Sequence, residues 1–518
     1  MNRESFIDRL ASERETWDVL IVGGGATGLG AAVDAASRGY RVALIEQSDF
    51  AKATSSRSTK LIHGGIRYLR QGRVGLVLDS LRERGILLRN APHLVSPLDF
   101  IIPAYARWER PFYGLGVLLY DRLAREADGR RSRILSRDET LRRLPTVATR
   151  GLRGGVCYHD AQFDDARLAI ELARTAAALG AVPVNYMRAE RLLERGGRIC
   201  GAVALDVETG REIEIAARAV INATGVFADV LRGIDEPGCA KLVTPSQGAH
   251  IVLPHSFLPG DAALLVPRTA DGRVMFAVPW HGQVIVGTTD TPVEGTELDP
   301  RPLEEEVRFI LDHAARYLSR APGPADVLSV FAGLRPLVAS SAVRATSSIG
   351  RDHAIHVSRS GLITITGGKW TTYRKMGEDV IDRAVQVAGL TPRPSGTATL
   401  RIHGHTEQPL PNARLTRYGA DAAALHDLER ASPELARSLD PDGQLSGAQV
   451  VWAVRHEMAR TLEDVLARRT RLLIVAARAS VAAAPAVARR MAQELGRDAA
   501  WERRAVEEYG SIARRYIL

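Results

Sequence analysis

Apolar and polar positions change period several times along the chain, and each change marks an element. Residues 18–22, DVLIV, are a short continuous β-branched run, the pattern of a parallel strand buried on both faces. GGGATG follows, then LGAAVDAASRG, whose small apolar residues predict a helix closed by Gly39. RVALIE resumes a strand and leaves Glu46 at its end. A buried strand ending in Ala-Thr-Gly returns in RAVINATGVFAD (218–229), and GAHIVLP and QVIVGTTD read as strands of a second unit. Late in the chain LITIT is a further β-branched strand, and Gly367 and Gly368 turn the backbone after it. Met376, Val380, Ala384 and Val387 then fall on one face of a helix that Gly389 closes. Pro392, Pro394 and Gly396 mark a linker over 391–398. Beyond it, Val450, Ala453, Met458, Leu462 and Val465 keep largely helical spacing through GAQVVWAVRHEMARTLEDVLARR, and AAWERRAVEEYGSIARRYIL predicts a last amphipathic helix.

Composition narrows the class. A chain of 518 residues is too long for one core, so two or three domains are expected. Apolar content of 45% and charged content of 25% are ordinary for a globular protein. The most apolar stretch, 471–490, is interrupted by Arg478 and Pro485, so no bilayer-spanning helix is expected. The opening MNRESFIDRLASERETW lacks an apolar h-region, which argues against a secretory signal. Cys157, Cys200 and Cys239 stand far apart, which excludes a typical zinc or iron–sulfur site and suits a reducing cytoplasm; no metal is expected. The net charge of +9 ranks first as an arginine-rich composition, second as a membrane-facing patch, and last as a nucleic-acid surface. Only five of the 69 basic residues are lysines: Lys52, Lys60, Lys241, Lys369 and Lys375. Two of them follow the Gly367–Gly368 pair.

The first strand–turn–helix carries Gly23-x-Gly25-x-x-Gly28. The first glycine permits a tight turn, the second lets backbone approach a pyrophosphate, and the third lets helix pack on strand. Glu46, 18 residues past Gly28, is placed to accept ribose hydroxyls. This pattern alone does not separate FAD from NAD. The hydroxyl-rich stretch FAKATSSRSTKLIHGGIRYL (50–69) does, because it can surround a long cofactor with donors. Thr54, Ser55, Lys60, His63 and Gly64 are its candidate cofactor contacts, with Thr224 and Gly225 from the second buried strand.

TSSRSTKLIHGGIRYL, FDDARLAIELARTAAALGA, INATGVFAD, GAHIVLP, VGTTDTP, GLRPL and TGGKWTTYRKMGEDV occur in that order. The series resembles the aerobic-type, FAD-dependent glycerol-3-phosphate dehydrogenases over nearly the whole chain, and residues 450–473 resemble that family's C-terminal helical domain. The resemblance implies an α/β fold class. A Rossmann-like FAD domain of the glutathione-reductase/D-amino-acid-oxidase type would be built from 1–95, 155–235 and 345–390. An antiparallel-sheet substrate domain would comprise 96–154 and 236–344, and a helical domain 399–518.

Flavin oxidation of a secondary alcohol needs a hydride acceptor, a base for the hydroxyl proton and stabilisation of the reduced flavin; a phosphorylated substrate adds cationic donors. The resemblance casts His250 as the base and Arg335, in GLRPL, as the group that polarises the substrate oxygen or holds phosphate. The backbone at Gly333–Pro336 is expected to be turning there. Arg67 and Arg351 match further basic positions, Tyr68 adds a hydroxyl, and His63 is expected against the flavin. Lys369, Gly368 and Thr371 sit where the late helix begins; its positive N-terminal end would face reduced flavin, with Lys369 serving flavin or phosphate. The implied reaction is oxidation of sn-glycerol 3-phosphate to dihydroxyacetone phosphate, with electrons passing from non-covalent FAD to a quinone. The long insertion of oxygen-using oxidases and the cysteine-bearing extension of anaerobic relatives are not evident. Peripheral membrane attachment through RWERPFYGLGVLLYDRLAR (107–125), at the inner face of the cell membrane, is an expectation, and a homodimer stays open. The competing readings are an amino-acid or amine oxidase on the same scaffold, and a non-catalytic RNA- or membrane-binding flavoprotein.

Overall fold

The computed structural model describes residues 1–12, 16–65, 72–124, 131–338, 353–408 and 414–518. Trp17–Val22 is the hub of the first sheet and pairs in parallel with Val42–Ile45 on one side and Glu212–Asn222 on the other. Val182–Val184 extends the sheet beyond Val42–Ile45, while Ile363–Gly367 pairs in parallel with Glu212–Asn222 and carries His353–Val357 at the edge. A hairpin, Met187–Arg195 with Arg198–Asp206, joins through Glu212–Asn222. The hub strand is buried along nearly its whole length, as a continuous apolar run requires when helices cover both faces. One covering layer is built from helices Ala26–Ser37, Asp165–Ala178 and Tyr373–Ala388. The first and third meet backbone to backbone: a Cβ on Gly377 would lie 2.6 Å from the carbonyl carbon of Gly30. As expected, Gly389 ends its helix in the left-handed region, at φ 59°.

The second sheet is mostly antiparallel and runs in the spatial order 291–292, 243–254, 283–287, 275–280, 263–266, 95–104, 154–163, 61–62, with Ser329–Val338 also paired to 243–254. Two expectations change here. Gly154–Phe163 pairs with Val95–Ala104 over ten register positions, so 155–163 belongs to the second sheet rather than the dinucleotide-binding unit. Arg335 lies within extended strand Ser329–Val338, not at a turn: Pro336 needs no N–H bond on its side of the ladder, so the strand continues through it.

The C-terminal unit is helical, but its long apolar spacing is not one helix. Gly447–Glu457 stops where Met458 turns left-handed, a wide-turn segment covers Asp464–Arg469, and Leu472–Val475 follows. Ala499–Ala513 is the last long helix, as its amphipathic pattern predicts. The linker lies flat on the first unit: Tyr40 donates to the Thr391 carbonyl and Ser395 to Asp34. Among the described residues no helix is long and apolar enough to cross a membrane.

Candidate active site

Two cavities, of about 220 and 240 Å³, share Thr54, Pro336, Gly368, Lys369 and Trp370 as a common wall. The first lies over the C-terminal ends of the parallel strands, where open α/β sheets bind nucleotides. Gly23, Gly25, Glu46, Thr54, Ser55, Thr224, Gly225 and Gly368 all line it. Gly28 does not, and its role is packing: a Cβ there would sit 1.9 Å from the Gly23 carbonyl oxygen. Helix Ala26–Ser37 has Gly25 as its N-cap, which brings no side chain; Gly25, Ala26 and Thr27 line the cleft, and Ala26 N–H donates to Ser55 Oγ at 2.9 Å. Glu46 accepts from Gly24 N at 2.7 Å and Ser48 N at 2.9 Å, so the carboxylate that would hold a ribose also holds the glycine turn. Burial pushes its pKa up against the pull of those two N–H groups. Backbone N–H groups at a helix start, an accepting carboxylate at the end of the second strand and a hydroxyl-lined wall are the donors and acceptors a dinucleotide needs. The residues present fit FAD.

The second cavity is lined by His63, Thr59, His250, Arg335, Gly368, Lys369 and Thr371, with an aromatic wall that includes Phe100, Tyr158 and Phe276. His250, on strand Val243–Pro254, stacks on Phe331 with ring centroids 4.7 Å apart. Burial, then Lys60 and Arg335, hold its pKa well below the usual value, so the imidazole is neutral near pH 7 and keeps a lone pair for a proton. The Arg335 guanidinium is aimed by the segment that follows strand Gln283–Gly287: Nη2 donates to Thr288 Oγ1 at 2.9 Å and to the Thr289 carbonyl at 3.0 Å, and Nη1 lies 3.3 Å from Asp290. Lys369 Nζ donates to Ser80 Oγ at 2.7 Å, and Trp370 Nε1 to the Ser55 carbonyl at 2.8 Å. His63 and Thr371 meet through the His63 N–H and Thr371 Oγ1 at 3.3 Å.

Some candidates sit elsewhere. Lys60 lines neither cavity: it is fully buried, and its ammonium donates to Asp165 at 2.6 Å and the Ser56 carbonyl at 2.7 Å. Its scarcity value in the sequence therefore marked a structural cation, not a cofactor contact. Gly64 lies behind the wall, its N–H on Asp160. Lys375 pairs with Asp379 on the helix surface, and Lys52 reaches across to Glu463 although it lines the first cavity. Arg67, Tyr68 and Arg351 lie outside the described residues.

Pattern reading missed a buried ionic seam between the dinucleotide unit and the helical unit. Asp49 accepts from Arg468 Nε at 2.5 Å, from both Arg469 Nη atoms and from Asn185; Arg468 also binds Glu463 and Asp464, each at 2.7 Å. The only signal was the Arg468–Arg469 pair, one of three ARR triplets in the last part of the chain, which composition had made unremarkable.

A dinucleotide cleft opening onto a cavity with a neutral histidine and two cations defines a flavin-dependent oxidoreductase, and residues 18–374 match the FAD dependent oxidoreductase family. Residues 363–502 match the C-terminal domain of alpha-glycerophosphate oxidase. The chain is 39% identical to mitochondrial glycerol-3-phosphate dehydrogenase of Bos taurus, over all of this chain and 75% of that one. With the Saccharomyces cerevisiae enzyme of the same name identity is 35%, over 95% of this chain and 88% of that one. The FAD complex of the Bacillus halodurans glycerol-3-phosphate dehydrogenase superposes with a TM-score of 0.82 at 30% identity, covering 99% and 97% of the two chains. The chain belongs to the FAD-dependent glycerol-3-phosphate dehydrogenase family.

Proposed function

We propose that this chain oxidises sn-glycerol 3-phosphate at C2 to dihydroxyacetone phosphate and passes the electrons to a quinone at a membrane surface. The observation that carries the reading is the meeting of His250, Arg335 and Lys369 on one cavity that shares a wall with the dinucleotide cleft. Bound FAD supplies the hydride acceptor. The chain supplies the rest: neutral His250 takes the hydroxyl proton, Arg335 polarises the oxygen as it becomes a carbonyl, and Lys369 offers a point charge to phosphate. The aromatic wall keeps water from the reacting carbon.

Membrane association is supported by helix Glu109–Ala124. Trp108, Phe112, Leu115, Leu118 and Leu119 are each more than half exposed, up to 72% at Leu115, and fall on one side of the helix. Arg107, Arg110 and Arg122 accompany them, the composition of a segment lying in an anionic interface. Anaerobic mixing of the purified holoenzyme with glycerol 3-phosphate tests the chemistry: flavin absorbance bleaches with this substrate and not with glycine or other amino acids. Bleaching by amino acids alone would transfer the site to the amine-oxidase class. All activity staying in the high-speed supernatant with membranes present at physiological salt would remove the membrane assignment.

A further inference from the structure

Thr59 lines the substrate cavity, and its hydroxyl lies 3.0 Å from His250 Nε2. The rest of the imidazole is closed off. Only 2% of His250 is exposed, one ring face stacks on Phe331, and Gly287 leaves just the space that Cδ2 fills: a Cβ there would lie 2.5 Å from it. Nδ1 is buried and has no hydrogen-bond partner among the described residues. The imidazole therefore communicates with the cavity through the nitrogen that Thr59 holds.

The position of Thr59 is fixed from both flanks by one buried carboxylate. Asp165 accepts from Ser58 Oγ at 2.7 Å and from Lys60 Nζ at 2.6 Å, while Arg471 donates to its other oxygen at 2.7 Å. Lys60 holds a left-handed backbone, φ 63°, which non-glycine residues adopt only where surroundings over-determine it. Lys60, Asp165 and Arg471 are all fully buried, so this clamp serves the backbone around Thr59 rather than a ligand.

We propose that Thr59 relays the substrate's hydroxyl proton to His250. The inference rests on the alcohol oxidation proposed above. As the C2–H electron pair departs with the hydride, the hydroxyl O–H bond breaks and its proton passes to Thr59 Oγ1. The proton already on Thr59 passes to His250 Nε2 in the same step. The former O–H pair becomes the second carbonyl bond, Thr59 ends neutral, and His250 carries the positive charge. Once the ketone product has left, the imidazolium passes its proton through Thr59 to water entering the cavity, a loss that burial beside Lys60 and Arg335 favours, and the relay is reset.

Thr59→Val keeps the shape and removes the hydroxyl; Thr59→Ser keeps the hydroxyl. In anaerobic rapid mixing of the holoenzymes with glycerol 3-phosphate, T59V should reduce its flavin about 100-fold more slowly or worse. T59S should stay within about fivefold of wild type, and half-saturating substrate should move less than about threefold in both. A readout independent of turnover is 15N-histidine NMR of the oxidised holoenzyme, with the His250 signals assigned by their loss in H250N. The Nε2 resonance should shift in T59V and hold its place in T59S. A T59V rate within threefold of wild type, a T59S as slow as T59V, or an unmoved Nε2 signal would each overturn the relay. If T59V does not accumulate folded, Thr59→Ala against T59S makes the same comparison. A wild-type flavin that glycerol 3-phosphate fails to bleach would instead sink the proposed function, and the NMR shift would still report on the Thr59–His250 bond.

Discussion

Replacing Asp49 with Asn asks how much of the dinucleotide cleft is held from outside by the helical unit. Asp49 is fully buried and takes hydrogen bonds from two buried guanidinium groups. Removing one partner of a buried ion pair typically costs about 3–5 kcal/mol, because the partner charge stays buried. Arg468 keeps Glu463 and Asp464, but Arg469 is left with the Glu457 carbonyl and a carboxylate oxygen 3.8 Å away, so the lower end, about 3 kcal/mol, is expected. At roughly 2 °C per kcal/mol for large domains, melting should drop by about 6 °C. Asp49 also sits at the head of the loop that brings Ala51, Lys52, Thr54 and Ser55 to the cleft, so D49N should release FAD at lower temperature than it unfolds. Flavin fluorescence, which rises on release, and circular dichroism followed through one thermal ramp read both events. Glu212→Gln is the control: its pair with Arg191 has both side chains more than half exposed, and the change should stay within about 0.5 kcal/mol. A D49N protein that melts within about 1 °C of wild type with flavin retained would refute the reasoning.

Lys369→Met should weaken glycerol 3-phosphate binding or slow flavin reduction by roughly 10- to 100-fold, the loss of one charged hydrogen bond, while Ser80 stays folded around a neutral side chain; single-turnover reduction and substrate titration check it. Gly28→Ala forces its Cβ onto the Gly23 carbonyl, so the protein should purify largely without flavin, read from the 450 nm absorbance per chain. In acid, the seam should fail early. Burial alone would raise the Glu463 pKa, but Arg468 and Lys52 bring it down to about 2 from the usual 4.5, so the unfolded chain binds the extra proton between those values. Stability is complete above about pH 4.5 and should fall by roughly 3 kcal/mol as pH drops toward 2, measured by urea unfolding at stepped pH.

The parallel sheet was legible because its strands are continuous β-branched runs whose ends carry Gly23, Glu46 and Thr224. Pairing across long sequence distance was not: no local pattern says that Gly154–Phe163 joins the second sheet, since a buried strand reads alike in either. The break at Met458 was invisible for a related reason. Apolar spacing there continues past the helix end, while the reason for stopping is tertiary, the need for Arg468 and Arg469 to reach Asp49. Among site residues, His250, Arg335 and Lys369 were found through motif resemblance, whereas Thr59 lay within a quoted motif and carried no signal apart from its neighbours. Its meaning depends on one 3.0 Å contact that spans 191 positions of sequence.

Because Ile363–Gly367 pairs with Glu212–Asn222, and that strand with Trp17–Val22, a ribosome delivers the glycine turn long before the wall that completes its cleft. The arginines that neutralise Asp49 emerge later still. Throughout most of translation the nascent chain therefore carries a half-built cofactor site and an acid whose arginine partners have yet to emerge. Flavin should therefore load only after most of the chain is made, and cells starved of flavin should accumulate full-length apoprotein, open to proteolysis at the unfilled cleft.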